Sequence, residues 1–597
     1  MEKFSFNIAS LRAAYLCGAL SPVAVVEEVI RRTADDPQRV WIHRLSAAAL
    51  REAAAALVGR DPASLPLYGI PFAIKDNIDL AGVPTTAGCR EFAYVPERSA
   101  AVVEQLVAAG AIPVGKTNLD QFATGLNGTR SPFGACRNAF NPDYISGGSS
   151  AGSAVAVALG LVSFSLGTDT AGSGRVPAAF NNLIGHKPTL GWLSTRGVVP
   201  ACRSLDAVSI FSMTAADAET VLAVAARFDA ADPYSRPLVG HGFDFGRAGR
   251  FRVGVPRPAD LSFFGNGEAE RLFHEAVARV AALGGECVEI DLSPFLDTAR
   301  LLYDGPWVAE RYAAIRGFFD AHEAALLSVI RDIIGQARRW SAADAYEYGY
   351  RLKVVKRRCD AVWSEVDCIL TPTAGTIYPI AELEADPIRL NANLGYYTNF
   401  MNLLDYAATA VPAGFQANGL PFGVTVFAPA AQDAPLLHLA DRLQHALAVP
   451  LGATGLPLPP SAGLTLPSGQ VRVAVCGAHL AGLPLNGQLT SRGGRLVAST
   501  RSAAEYKLYA LAGGPPARPG MVRVERGGDA IEVEVWELPA GQFGSFVAGI
   551  PAPLGIGTIR LADGSVVQGF VCEAASVDGA EDITGFGGWR AYLAVAR

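Results

Sequence analysis

The chain reads as an α/β layered protein followed by a small, β-rich α+β domain, and three observations predict this. Up to about residue 445, short apolar strands alternate with helical stretches, the pattern of a layered α/β architecture. Residues 449–469, "VPLGATGLPLPPSAGLTLPSG", are dense in proline and glycine and carry no charge, so they read as a linker. Beyond them, "VRVAVCG", "RLVAST", "AIEVEVWEL" and "GSVVQGFVCE" read as strands separated by glycine turns. A chain of 597 residues also exceeds one ordinary core. The expected division is 1–448, a linker over 449–469, and 470–597.

Along the chain, "SPVAVVEEVIRR" opens a helix, with Ser21 as N-cap and Pro22 at the first helical position. "PFAIK", "RVGVP", "CILTP" and "GVTVFA" read as strands, and "AAVVEQLVAAG" and "AERLFHEAVARVAAL" as helices. The apolar run "SAVAVALGLVSFSLG" reads as one buried helix. No apolar run approaches the ~20 residues a membrane helix needs, and Arg12 interrupts the N-terminal apolar stretch where a signal core would stand.

A net charge of −6 without a basic stripe argues against nucleic acid as a partner. The nine cysteines are odd in number, scattered, and lack a Cys-x-x-Cys pair, which reads as reduced thiols in a cytoplasmic protein. No metal-ligand cluster is visible, and no metal or organic cofactor is expected.

"GAIPVGKT" (110–117) matches a phosphate-loop pattern, but a helix-like segment precedes it, with Val102, Val103, Leu106 and Val107 on one face. Its interior reads as a short strand and Pro113 removes a donor, so Lys116 is expected at a strand rim. "YISGGSSAGSAV" (144–155) could be a linker, a phosphate cradle or half of a nucleophilic site. The buried run that follows excludes a flexible linker and places the loop at a helix N-terminus, where backbone donors converge. A second small-residue loop with a serine, "GTDTAGSGRVPAAF", comes about twenty residues later, and Lys75 ends the apolar strand of "GIPFAIKDNID" upstream. A buried lysine has a lowered pKa and can act as a neutral base. These pieces suggest a serine nucleophile that works without histidine; the nearby His186 is read as a packing or turn residue.

Together, "GIPFAIKDNI", "SGGSSAGSAVAVALG" and "GTDTAGSGRVPAAFNNLIGHKPT", in this order, resemble the amidase signature family over roughly residues 20–445, and "VGKTNLDQFA" fits it too. The resemblance implies a mixed central sheet flanked by helices and a Ser–cis-Ser–Lys catalytic set. The base falls on Lys75, the bridging serine on Ser149 with Ser150 as the competing candidate, and the nucleophile on Ser173. The amides of Thr170, Ala171, Gly172 and Ser173 would form the oxyanion hole. "LLYDGPWVAERY" and "VRVAVCGAHLAGLPLNGQL" resemble the allophanate hydrolase branch, in which a tyrosine and an arginine eight residues apart bind the substrate's carboxylate end; Tyr303 and Arg311 match. That branch further implies a homodimer, a functional link to urea carboxylase, and a C-terminal domain that helps the first product decompose, with His479 as its polar candidate. The alternatives are another amidase of the family, a tRNA-dependent amidotransferase A-type subunit, or a binding scaffold that has lost catalysis.

Overall fold

The computed structural model describes residues 5–237, 240–241, 245, 251–461 and 469–595. They form two compact units: Met1–Leu238 with Arg252–Leu464, and Val239–Phe251 with Thr465–Arg597.

The first unit is built on eleven strands: β1 (Trp41–Arg44), β2 (Pro71–Lys75), β3 (Ile112–Thr117), β4 (Phe164–Asp169), β5 (Ile184–Lys187), β6 (Ala207–Ser212), β7 (Phe251–Pro256), β8 (Gly285–Ile290), β9 (Cys368–Pro372), β10 (Tyr406–Phe415) and β11 (Pro421–Pro429). Their order is β1-β3-β2-β4-β6-β5-β10-β11-β9-β7-β8. The pairs β2/β3 and β2/β4 are parallel, whereas β4/β6 and β10/β11 are antiparallel, so the sheet is mixed. Every residue of β2, β4, β5, β6 and β9 is buried, as strands covered on both faces require.

The expected first helix is Pro22–Arg32, with Ser21 Oγ accepting from the Ala24 amide. The single helix expected over "SAVAVALGLVSFSLG" is a helix only over Ala151–Ala158; Gly160 turns the chain at φ +66° and the rest becomes β4. Both halves are buried all round, so neither shows the periodicity that would tell helix from strand. Lys116 is not at a rim. It is fully buried in β3, 3.1 Å from Asp76, which in turn accepts hydrogen bonds from the amide and hydroxyl of Thr86. Val107 turns outward from its helix.

Of the expected linker, residues 462–468 lie outside the described residues. Residues 450–453 dock on the first unit: Asn182 Nδ2 donates to Pro450 O and Gly452 O, and the Ala453 amide to Ala158 O.

The second unit holds β12 (Gln470–Val475), β13 (Arg495–Arg501), β14 (Tyr506–Leu511), β15 (Arg518–Arg523), β16 (Glu532–Pro539), β17 (Leu554–Arg560), β18 (Val566–Cys572) and β19 (Glu581–Asp582). They form a five-stranded sheet, β13-β16-β12-β18-β17, and a three-stranded sheet, β15-β14-β19. No helix among the described residues is long and apolar enough to cross a membrane, and all nine cysteines are free.

Candidate active site

Two adjacent strands and two glycine loops make the site. Lys75 is the last residue of β2 and is fully buried. Its Nζ lies 2.8 Å from Ser149 Oγ and 2.7 Å from Thr168 Oγ1, on β4 beside it. Ser149 Oγ lies 2.9 Å from Ser173 Oγ. The three residues expected to cooperate are therefore one hydrogen-bonded chain. The peptide bond Gly148–Ser149 is cis. Ser150 faces elsewhere: its hydroxyl donates to Thr168 O and accepts the Thr168 amide.

The glycines of the first loop are demanded by close approach. A Cβ on Gly148 would stand 2.2 Å from Asp120 Oδ2, and one on Gly147, at φ +72°, 2.7 Å from Pro177 Cα. Asp120, missed in the sequence, organises this region. Its carboxylate accepts the amides of Asn127, Gly128 and Arg130, and its own amide donates to Ser149 O.

The second loop is held by Asp169. Its carboxylate accepts the amides of Gly172 and Gly174 and a two-pronged bond from Arg175 Nε and Nη2, each 2.9 Å. Burial alone would raise the Asp169 carboxyl, yet Arg175 holds it below its ordinary value. Of the four amides expected in an oxyanion hole, that of Gly172 is thus donated to Asp169, which leaves Thr170, Ala171 and Ser173. Thr170 donates its hydroxyl to Asp206, a buried carboxylate pushed up to about 6 by burial.

Burial lowers Lys75 from its ordinary value to about 7; Asp120, Asp206 and Asp169 pull it upward, and Arg311 pushes it down further. A lysine so placed exchanges its proton near neutrality.

Tyr303 and Arg311 lie on consecutive helices, Ser293–Asp304 and Trp307–His322, broken at Gly305–Pro306. The structure brings them together, with Arg311 Cζ 5.7 Å from the Tyr303 ring centroid. Tyr303 packs against the apolar cluster that contains Ala171 of the second loop. Arg311 is buried, donates from Nη1 to Thr124 Oγ1 at 3.2 Å, and has no carboxylate partner among the described residues; its Nε has no hydrogen-bond partner among them either. A cavity of about 230 Å³ bordered by Arg196, Arg203 and Tyr234 touches this region only at Asp206.

His186 sits in β5, 2.9 Å from Thr409 Oγ1 and 3.3 Å from Asp433, in a packing position. In the second unit, His479 is buried, its ring stacked on Phe570 with centroids 4.9 Å apart and met edge-on by Phe546. Its Nε2 lies 3.1 Å from Gln488 Oε1, and burial lowers its pKa. It belongs to the other unit and is not part of the serine–lysine site.

Residues 24–437 match the amidase family model, and residues 471–594 match the model of the allophanate hydrolase C-terminal domain. The chain is 43% identical to the urea amidolyase of Saccharomyces cerevisiae over 548 residues, which is 89% of this chain and 30% of that protein. It therefore spans under a third of that relative. It is 34% identical to the A-type subunit of the glutamyl-tRNA(Gln) amidotransferase of Chloroflexus aggregans, matching 74% of this chain and 97% of the other. Among solved structures, allophanate hydrolase of Kluyveromyces lactis superposes with a TM-score of 0.78 at 39% identity, covering 99% of both chains.

Proposed function

The chain belongs to the amidase family, and from that premise we propose that it hydrolyses the terminal amide of allophanate, releasing ammonia and N-carboxycarbamate. The observation that carries this reading is the buried Arg311 guanidinium. It lacks a carboxylate partner among the described residues and stands close enough to a serine–serine–lysine chain to depress its lysine. A buried cation with an unused donor is costly until an anion reaches it. A small amide that carries its own carboxylate supplies that anion and is oriented by it.

In this reading neutral Lys75 accepts the proton of Ser149, which takes that of Ser173, and Ser173 Oγ attacks the carbonyl. The amides of Ala171 and Ser173, with Thr170, face the developing oxyanion. Ammonia leaves with the proton returned along the same chain. Water then enters, gives its proton to the chain and cleaves the acyl-serine ester. The N-carboxycarbamate so formed goes on to carbon dioxide and a second ammonia, and His479 with the C-terminal unit would aid that step. The test is ammonia release by the purified protein from allophanate, malonamate, biuret and indole-acetamide; allophanate is expected to be the best substrate by kcat/KM, and preference for an uncharged amide overturns the reading.

The tRNA-dependent amidotransferase reading is less favoured. Residues 471–594 match a domain for which the amidotransferase relative, matched over 97% of its own length by 74% of this chain, leaves no counterpart. We also propose a homodimer in a cytoplasmic setting and a functional link to urea carboxylase, with no nucleic acid or membrane partner. For the dimer, the supporting feature is the helix Ala342–Asp360. It exposes Tyr346, Tyr350 and Val354 at 69, 66 and 64% along one face, and a two-fold axis at Tyr350 would oppose Glu347 to Lys353.

A further inference from the structure

We propose that Arg130 is a second determinant of specificity for a negatively charged amide, acting with Arg311 to make the substrate's carboxylate end a two-cation site. The inference rests on the allophanate reading. Arg130 is 4% exposed. Its Nη1 donates to Thr124 O at 3.0 Å, its Nη2 donates to Pro387 O, and its Nε has no partner among the described residues. Thr124 thus stands between two guanidiniums, its carbonyl on Arg130 and its hydroxyl on Arg311. Both arginines are buried, both keep an unused Nε–H, and neither forms an ion pair among the described residues.

The acids nearby, Asp120 for Arg130 and Asp206 for Arg311, act on the guanidiniums through space without forming an ion pair to either. Asp120 already accepts three backbone amides, and Asp206 accepts the Thr170 hydroxyl and the amides of Ala201 and Cys202. Burial disfavours the Arg130 charge, Asp120 is the chief group that favours it, and Arg311 works against it, so the two cations share one region in which a further anion would favour both. The loop that holds them is backbone-strained: Phe122 and Ala123 are non-glycine residues at φ +49° and +52°. That conformation turns the two polar groups of Thr124 toward different guanidiniums. The same loop is tied through Asp120 to Ser149, so the anion site and the proton chain are set by one piece of backbone.

The chemical class that fits is a carboxylated urea or a carboxylate-bearing amide of similar length. Hydrolysis converts its amide into a second carboxylate, and two cations then hold a dianionic product.

The experiment compares allophanate with biuret, the same skeleton with a neutral amide in place of the carboxylate, on the full-length wild type, Arg130→Gln and Arg130→Lys. Arg130→Gln is expected to raise KM for allophanate by about tenfold, with kcat within about threefold and biuret kcat/KM within about twofold. Arg130→Lys keeps the charge but cannot make both backbone bonds, and is expected to retain most of the preference for allophanate. Equal losses on both substrates in both variants would mean that Arg130 only clamps the loop, and would overturn the proposal. If Arg130→Gln does not fold, Arg130→Lys decides alone: retained discrimination supports the charge role, and lost discrimination overturns it. A wild type that does not prefer allophanate to biuret overturns the allophanate reading itself, whereas a selective wild type with an Arg130→Gln variant that is equally selective overturns only this inference.

Discussion

Ser149 Oγ stands 2.9 Å from Ser173 Oγ and bridges that hydroxyl to the Lys75 amine, itself 2.8 Å beyond. With Lys75 charged, the lysine donates to Ser149 and Ser149 to Ser173. Loss of one proton from Lys75 lets the whole chain reverse and makes Ser173 the donor, which in the proposed mechanism is the state that attacks the carbonyl.

Ser173→Ala should abolish amide hydrolysis, with a loss of at least about a thousandfold in kcat. The hydroxyl is buried, so its removal should also cost about 1 kcal/mol of stability through the lost Ser149 bond. Ammonia release and a thermal melt of the same preparation check both. Activity near wild type in a folded variant would mean that another residue is the nucleophile.

The pH dependence follows from Lys75. Its pKa is lowered to about 7, so the neutral base is the dominant form above that pH and the charged, inactive form below it. The kcat/KM for an uncharged amide should therefore rise with pH through about 7 and flatten above about 8. A rate that is level from about pH 5 to 9 would remove Lys75 from the role of base.

Arg311→Ala should raise KM steeply for allophanate and far less for biuret, a loss on the order of 2–5 kcal/mol for the charged substrate alone. Arg311 pushes the Lys75 pKa down, so its removal should shift the acidic limb of the profile to higher pH. A variant with an unmoved limb and equal losses on both substrates would make Arg311 a structural residue.

A chain truncated after residue 460 should fold and still release the first ammonia. The full-length protein, but not the truncated one, should speed formation of carbon dioxide and the second ammonia. His479→Ala in the full chain should lose only that second acceleration. The time courses of both products are the measurement, and equal second-step rates would drop His479 from the site.

Tyr350→Glu should yield a monomer at micromolar concentration, because it places two carboxylates at the proposed two-fold axis. Light scattering on a sizing column reads the mass, and an unchanged dimer would move the interface to another surface.

Much of the candidate site is legible in the sequence because three contiguous motifs name Lys75, Ser149 and Ser173, which the fold joins in one hydrogen-bonded chain, without any knowledge of the path between them. The partners that tune those residues are not. Thr168 touches Lys75 from 93 positions away, and Thr124 touches Arg311 from 187. Nothing local in a threonine announces such a contact. Asp120 and Arg130 offer a weak signal, an acid and an arginine inside the small-residue stretch "NLDQFATGLNGTR", but only their burial makes them informative. The mixed sheet is expected from family resemblance, whereas strand periodicity is erased in β4, where every position is buried. Lys116 misleads for a related reason: a lysine at the end of an apolar strand reads as exposed unless its acid partner Asp76, well upstream in the chain, is known to face it.

The second unit takes its first residues from the middle of the chain: Gly240 O accepts a hydrogen bond from Gln470 Nε2. A single cut after residue 460 therefore does not divide the protein along its two masses. The longer fragment carries residues 239–251 away from their neighbours, and the shorter one lacks a piece of its own body. During synthesis that early piece must wait for more than two hundred further residues before its partners exist, so the second unit can be completed only once residues 465–597 have been made. A second unit meant to stand alone should carry residues 239–251 grafted ahead of residue 465, and that form should melt at a higher temperature than residues 465–597 by themselves.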